Sequence, residues 1–246
     1  MPPLIIAHRG WSAKAPENTL AAFRSAMEFG VDGLELDVHQ SKDGHIVICH
    51  DERLERTTDG EGLIADHTLD ELKRLDAGSW FGAAYAGEKL PTLEELFHAI
   101  QAIGWRGLIN IELKTSVQRY PGIEGKVAAL VREFDLVDQV LISSFNHDSL
   151  VESRRVAPEL PTAALYSRAF SKPWDYARSL GCAALHPAHP AVSAELIASA
   201  HSAGLTVNTW TVDDPDLARS LAETGVDGII TNAPDRIREA LFPGAP

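Results

Sequence analysis

Eight short apolar runs, each separated from the next by a stretch with helical spacing, constrain this chain more than any other feature. They fall at residues 4–8, 33–38, 108–113, 140–144, 162–166, 183–186, 205–211 and 228–231. Strands that alternate with helices form parallel βαβ units rather than hairpins. From residue 140 onward the runs start about 22 residues apart, close to the shortest repeat that holds a strand, a helix and two turns. Eight such units predict an α/β fold, a closed TIM (β/α)8 barrel, and 246 residues suit a barrel that needs roughly 250. The expectation is one barrel domain over residues 1–246.

Helix punctuation agrees. Asp214 and Pro215 supply an N-cap and a first-turn proline, Leu217, Leu221 and Ala222 keep helical spacing, and Gly225 closes the helix. The tetrapeptide Gly-Val-Asp-Gly occurs at 30–33 and again at 225–228, each time between a helical pattern and a strand, and reads as a reusable αβ turn. One run departs from the pattern. Residues 46–50 follow 33–38 after only a short polar turn, too short for a parallel crossover, so the two form an antiparallel hairpin. Residues 52–90 then lose barrel spacing and are rich in charge, Gly and turn signals, which predicts a small insertion at one end of the barrel, a natural place for a substrate-selective lid.

The formal charge of −13 argues against nucleic acid and anionic membrane surfaces as partners, because both require clustered Lys and Arg. A small phosphorylated ligand needs only a local positive cluster. The start of the chain lacks a charged region followed by a long apolar one, and no run approaches 18 apolar residues, so a cytoplasmic location without stable membrane association is expected. Cys49 and Cys182 sit in apolar runs and are expected to be buried free thiols.

Chemistry concentrates at the strand ends, where barrels place their active sites. The first strand ends in His8-Arg9-Gly10, the second contains Glu35-Leu36-Asp37, the hairpin ends in His50-Asp51, and the run at 108–113 leads through Glu112 into Lys114. Residues two apart in a strand face the same side, so Glu35 pairs with Asp37, and Glu112 with Lys114. Acids pointing together into a barrel repel one another, and a cation relieves this. With Glu112 as third ligand the donors are all oxygen, which suits Mg²⁺ or Ca²⁺. The competing reading is that Glu35 or Asp37 forms a structural ion pair with Arg9 or Lys114. Those two cations are equally the local positive charge a phosphate needs. His8 and His50 face the same mouth and can serve as base and acid near neutral pH, whereas the other histidines read as surface or packing residues.

The ordered set His8-Arg9-Gly10, Glu17-Asn18-Thr19, Glu35-Leu36-Asp37-Val38, His50-Asp51, Pro91-Thr92-Leu93-Glu94-Glu95, Glu112-Leu113-Lys114, Trp210-Thr211-Val212 and the segment 225–232 resembles the glycerophosphodiester phosphodiesterases, in the cytosolic bacterial form, over nearly the whole chain. The resemblance implies hydrolysis of glycerophosphodiesters to glycerol 3-phosphate and an alcohol. It implies that Glu35, Asp37 and Glu112 bind one divalent cation, that His8 and His50 are the acid-base pair, and that Arg9 and Lys114 contact phosphate. Glu17 is expected close to the substrate, Asn18 as the N-cap of a helix over 19–29, and Trp210 as a wall of the glycerol pocket; Phe81 in the insertion is a weaker candidate for the same wall. By analogy with the phosphatidylinositol-specific phospholipases C, the glycerol 2-hydroxyl attacks phosphorus with His8 as base and His50 as acid.

Three rivals make different demands. A lysophospholipase D-like enzyme should show an apolar or basic docking face, which this acidic sequence lacks. A binding protein without turnover has no need of both histidines and all three acids. Metal-dependent sugar isomerases and amidohydrolases on the same barrel carry histidine-rich ligand sets.

Overall fold

The computed structural model describes residues 2–244; Met1, Ala245 and Pro246, at the ends of the expected domain, lie outside the described residues. Among the described residues nine strands form, β1 (Leu4–His8), β2 (Gly33–Gln40), β3 (Ile46–Ile48), β4 (Leu108–Leu113), β5 (Val140–Ser144), β6 (Thr162–Tyr166), β7 (Ala184–Pro187), β8 (Thr206–Thr209) and β9 (Gly228–Thr231). All but β3 join in parallel around a ring that closes where β1 meets both β9 and β2. This is the expected eight-stranded TIM barrel with one extra strand.

The strands alternate between two environments. In β2 the side chains of Leu34, Leu36 and Val38 join the apolar layer between sheet and helices, as do Ile109, Ile111 and Leu113 of β4. Their intervening neighbours, Glu35, Asp37, Asn110 and Glu112, therefore face the barrel axis. The helical layer includes α1 (Leu20–Phe29), α3 (Leu93–Ile103) and α4 (Ile123–Glu133), whereas the one-turn α2 (Leu69–Leu72) belongs to the insertion. Helix α3 shows why these elements form. Thr92 and Glu95 make a reciprocal capping box, and Leu93, Leu96, Phe97 and Ile100 line one face. Gly104 ends the helix in the left-handed region at φ 72°. Phe97 is fully buried, which contributes about 2–3 kcal/mol by area.

The hairpin explains how a residue outside the ring reaches its centre. The first half of β2 pairs with β1 up to His8 opposite Glu35. Beyond that point β1 has ended, and β3 takes the vacated edge of β2, from Gln40 opposite Ile46 to Val38 opposite Ile48. Cys49 N continues the ladder by donating to Asp37 O at 3.0 Å. The returning chain thus delivers His50 onto the end of β1. Residues 52–90 follow as the expected excursion, and their Leu54, Ile64, Leu72, Ala77 and Leu90 form a small separate apolar core with Val47 and Cys49 of the hairpin. Both cysteines are free and buried. Among the described residues no helix is long and apolar enough to cross a membrane.

Candidate active site

The register of the barrel assembles the site. His8 lies beside Glu35 across the β1–β2 ladder, and Asp37 lies beside Glu112 across the β2–β4 ladder. Carboxylate oxygens of Glu35, Asp37 and Glu112 all fall within 4.8 Å of one another, and all three residues are buried. The turn after β1 brings Arg9 over them. Arg9 adopts a left-handed conformation at φ 56°, followed by Gly10 at φ 76°. A side chain at Gly10 would place Cβ 2.7 Å from the backbone of Ala22, so this tight passage against α1 requires glycine.

Of the three acids, Asp37 takes most of the positive charge. Arg9 Nε is 3.4 Å and Lys114 Nζ 3.6 Å from its oxygens, and Asn18 Nδ2 donates to Oδ2 at 2.9 Å. Burial alone would raise the Asp37 carboxyl, but Lys114 and Arg9 outweigh it and hold the group far below its usual range. Lys114 also donates to Glu112 at 2.8 Å, while Glu35 receives only the Arg9 backbone N–H at 3.0 Å. Burial and the Asp37 charge therefore push Glu112 up to about 7 and Glu35 well above its ordinary value. The ion-pair reading of the sequence thus describes Asp37, while the cluster as a whole retains more buried acid than its cations neutralise. An oxygen-only donor set with that surplus suits a hard divalent cation.

The two histidines are held differently. Asn232 Nδ2 donates to Asp213 Oδ2 at 2.7 Å, and this turns its amide oxygen toward His8 Nδ1, also at 2.7 Å. An amide oxygen only accepts, so His8 carries its proton on Nδ1 and leaves Nε2 bare, 3.9 Å from Glu35 Oε2. Burial and the Arg9 charge push His8 down to about 4, and it is neutral at physiological pH. His50 Nδ1 instead faces a carboxylate, Asp51 Oδ1, at 2.6 Å. Burial lowers its pKa as well, against the opposing pull of Asp37 and Asp51.

His8, Arg9, Glu35, His50, Glu112, Lys114 and Trp210 line a single cavity of about 430 Å³, within the usual range for small-molecule sites. Asp37, buried against Arg9 and Lys114, is not part of its lining. Glu17, expected as a substrate contact, is not in the lining: Arg9 Nη1 donates to its Oε1 at 2.7 Å, and Arg56 takes both of its oxygens. The expected cap at Asn18 also gives way. Asn18 is left-handed at φ 58° and turned toward Asp37, and Thr19 caps α1 by accepting from Ala22 N. Trp210 meets Phe145 edge-on at 5.5 Å, and Phe145, which the sequence does not single out, completes the aromatic wall. Phe81 packs between Trp80 and Tyr85 instead.

Two imidazoles, three carboxylates and two basic side chains gathered at one barrel mouth are the groups that acid-base chemistry on an anionic substrate requires. Residues 8–236 match the Glycerophosphoryl diester phosphodiesterase family, and the chain belongs to that family. It is 45% identical over 237 residues to a glycerophosphodiester phosphodiesterase of Caldanaerobacter subterraneus subsp. tengcongensis, covering 96% of this chain and 97% of that protein. Among solved structures it is similar to an Oleispira antarctica phosphodiesterase in complex with the product sn-glycerol-3-phosphate, with a TM-score of 0.86, 37% identity and coverage of 97% and 96%. A glycerophosphodiester phosphodiesterase of Agrobacterium tumefaciens superposes with a TM-score of 0.83 at 30% identity, over 96% of this chain and 98% of that one.

Proposed function

We propose that this protein hydrolyses glycerophosphodiesters to glycerol 3-phosphate and an alcohol, with His8 as general base and His50 as general acid. Glu35, Asp37 and Glu112 hold one divalent cation, Mg²⁺ or Ca²⁺. The observation that carries the reading is the convergence of both histidines and the acidic cluster on one cavity that Arg9 and Lys114 also line. The glycerol 3-phosphate complex of the Oleispira relative supports the product.

In the first step the glycerol 2-hydroxyl gives its proton to His8 Nε2 as its oxygen bonds to phosphorus. The bond from phosphorus to the head-group oxygen breaks, and that oxygen takes a proton from His50. Water then opens the cyclic phosphate, giving its proton to His50 while His8 returns one to the 2-oxygen. The partners of the rings favour this assignment: a carboxylate beside His50 stabilises an imidazolium, whereas the amide oxygen and Arg9 beside His8 favour the neutral base. Arg9 and Lys114 neutralise charge gathering on the phosphoryl oxygens, and Glu17 holds Arg9 for that task. A bound cation supplies Lewis-acid stabilisation of the same charge. Trp210 and Phe145 wall the glycerol moiety.

The test is coupled detection of glycerol 3-phosphate from several glycerophosphodiesters, using chelated enzyme with each cation added back. His50→Ala should lose about 10²- to 10⁴-fold on glycerophosphocholine and recover most of it on a nitrophenyl diester, whose leaving group needs no proton. His8→Ala should be impaired on both. Full activity in chelator, or equal losses on both substrates for both variants, contradicts the reading.

A further inference from the structure

Arg56 lies on the turn that opens the insertion, flanked by fully buried Leu54 and by buried Thr57 and Thr58. Thr58 Oγ1 donates to Leu54 O at 2.7 Å, and Leu54 N donates to Gly62 O at 3.0 Å, so the turn is anchored on both sides. From it the guanidinium reaches back to the barrel. Nη1 and Nη2 donate to Glu17 Oε2 and Oε1 at 2.9 and 2.8 Å. Nε donates to Asp51 Oδ2 at 2.5 Å, and Nη2 contacts Asp51 Oδ1 at 3.2 Å. Each carboxylate has a second partner in the site. Glu17 accepts from Arg9 at 2.7 Å, and Asp51 faces His50 Nδ1 at 2.6 Å.

An exposed ion pair by itself contributes little to stability. Here one planar fork spans two carboxylates that hold two different active-site groups, a geometry that lysine cannot reproduce. A single contact to His50 leaves the Asp51 carboxylate free to rotate, and the imidazole with it. Contacts to both oxygens fix the pair. We propose that Arg56 is a positioning residue for the reaction, clamping Asp51 so that the ring of His50 presents Nε2 to the leaving alcohol. The Glu17 arm fixes the guanidinium itself, so the insertion contributes to catalysis through one side chain that touches no reacting atom. This rests on the reading of His50 as the general acid.

Misplacing a catalytic group by an ångström is enough to cost on the order of 100-fold, so Arg56→Ala should lower kcat on glycerophosphocholine by about ten- to 100-fold. The loss on the nitrophenyl diester should be under about threefold, because that leaving group does not use the acid. Arg56→Lys, which keeps the charge but cannot span both carboxylates, should show the same substrate pattern in milder form. Combined with Asp51→Asn, Arg56→Ala should add little further loss, since both act on His50. Equal losses on the two substrates, no loss, or effects of Arg56→Ala and Asp51→Asn that multiply would overturn the proposal. His50→Ala measured alongside separates the two ideas. If it shows the leaving-group pattern and Arg56→Ala does not, the positioning role fails while the function stands; if His50→Ala lacks the pattern, the acid assignment itself fails.

Discussion

At the cation site proposed for the acidic cluster, binding should depend on pH in a way that can be worked out from Glu112. Burial and the Asp37 charge raise its carboxyl from 4.5 to about 7 in the cation-free protein. A carboxyl raised on folding binds its proton more tightly in the native state, so the associated stability is fully present below 4.5 and is lost as pH rises through 7. That loss amounts to about 3 kcal/mol. A cation that takes the same oxygens displaces the proton, and from Glu112 alone its apparent affinity should rise about tenfold per pH unit up to pH 7, with the raised Glu35 adding to the rise. Between pH 5.5 and 7 this is roughly 30-fold, or about 2 kcal/mol at a fixed cation concentration above the dissociation constant. For a chain of this length the corresponding gain in Tm is about 4–8 °C. Thermal denaturation of chelated protein, with and without Mg²⁺ or Ca²⁺ at pH 5.5 and 7.5, measures the difference, and calorimetry in two buffers of unlike ionisation enthalpy counts the released protons. A cation-induced gain of equal size at both pH values, or binding without proton release, refutes the reasoning.

Glu35→Gln removes the acid with least positive compensation, so it should abolish cation-dependent turnover yet leave chelated protein at pH 8 at least as stable as the parent; retained cation-dependent turnover would remove Glu35 from the ligand set. Gly10→Ala forces a side chain into the backbone of Ala22 at a left-handed φ and should cost roughly 2–4 kcal/mol, read as a shifted urea midpoint; an unchanged midpoint would show that the turn can relax. Leu54→Ala hollows the small core of the insertion and should lose about 2–4 kcal/mol. Its hydrogen-exchange protection should fall within residues 52–90 first, and uniform loss across the barrel would show that the insertion does not open separately.

The barrel was legible because periodicity carries it. Each ring strand falls within two residues of its apolar run, and one of the two larger shifts is in β8. There the run extends to 211, yet the strand ends at Thr209; Trp210 keeps a single parallel bridge to Ala188, and Trp210 and Thr211 line the cavity. The second strand runs longer than expected, to Gln40, since β3 gives it a partner past the end of β1. The acids and Lys114 were legible for the opposite reason: charges at two-residue spacing in apolar strands violate the rule for a core, and such violations mark sites.

What the sequence hid lies in loops, where no period ties a residue to its destination. Asp76 shows this within the insertion, where it collects the backbone N–H groups of Gly78, Ser79 and Gly87 at 2.7–2.8 Å. Nothing in its neighbours distinguishes it from a surface aspartate. Arg56 and Asp213 are hidden in the same way, since each reads as an ordinary loop charge and acquires its partners only when chain segments distant in sequence meet. Asp213 meets Asn232 across 19 positions, and Arg56 meets Glu17 across 39. The two histidines show what this separation means for chemistry. Both could be found as strand-end imidazoles, but the roles proposed for them rest on the second atom each ring touches, an amide for His8 and a carboxylate for His50. The carboxylate is the next residue in the chain, whereas the amide arrives from position 232, brought beside β1 by β9. That neighbourhood exists only because the barrel closes, so the residue that leaves His8 a bare Nε2 is fixed by the same closure that defines the fold.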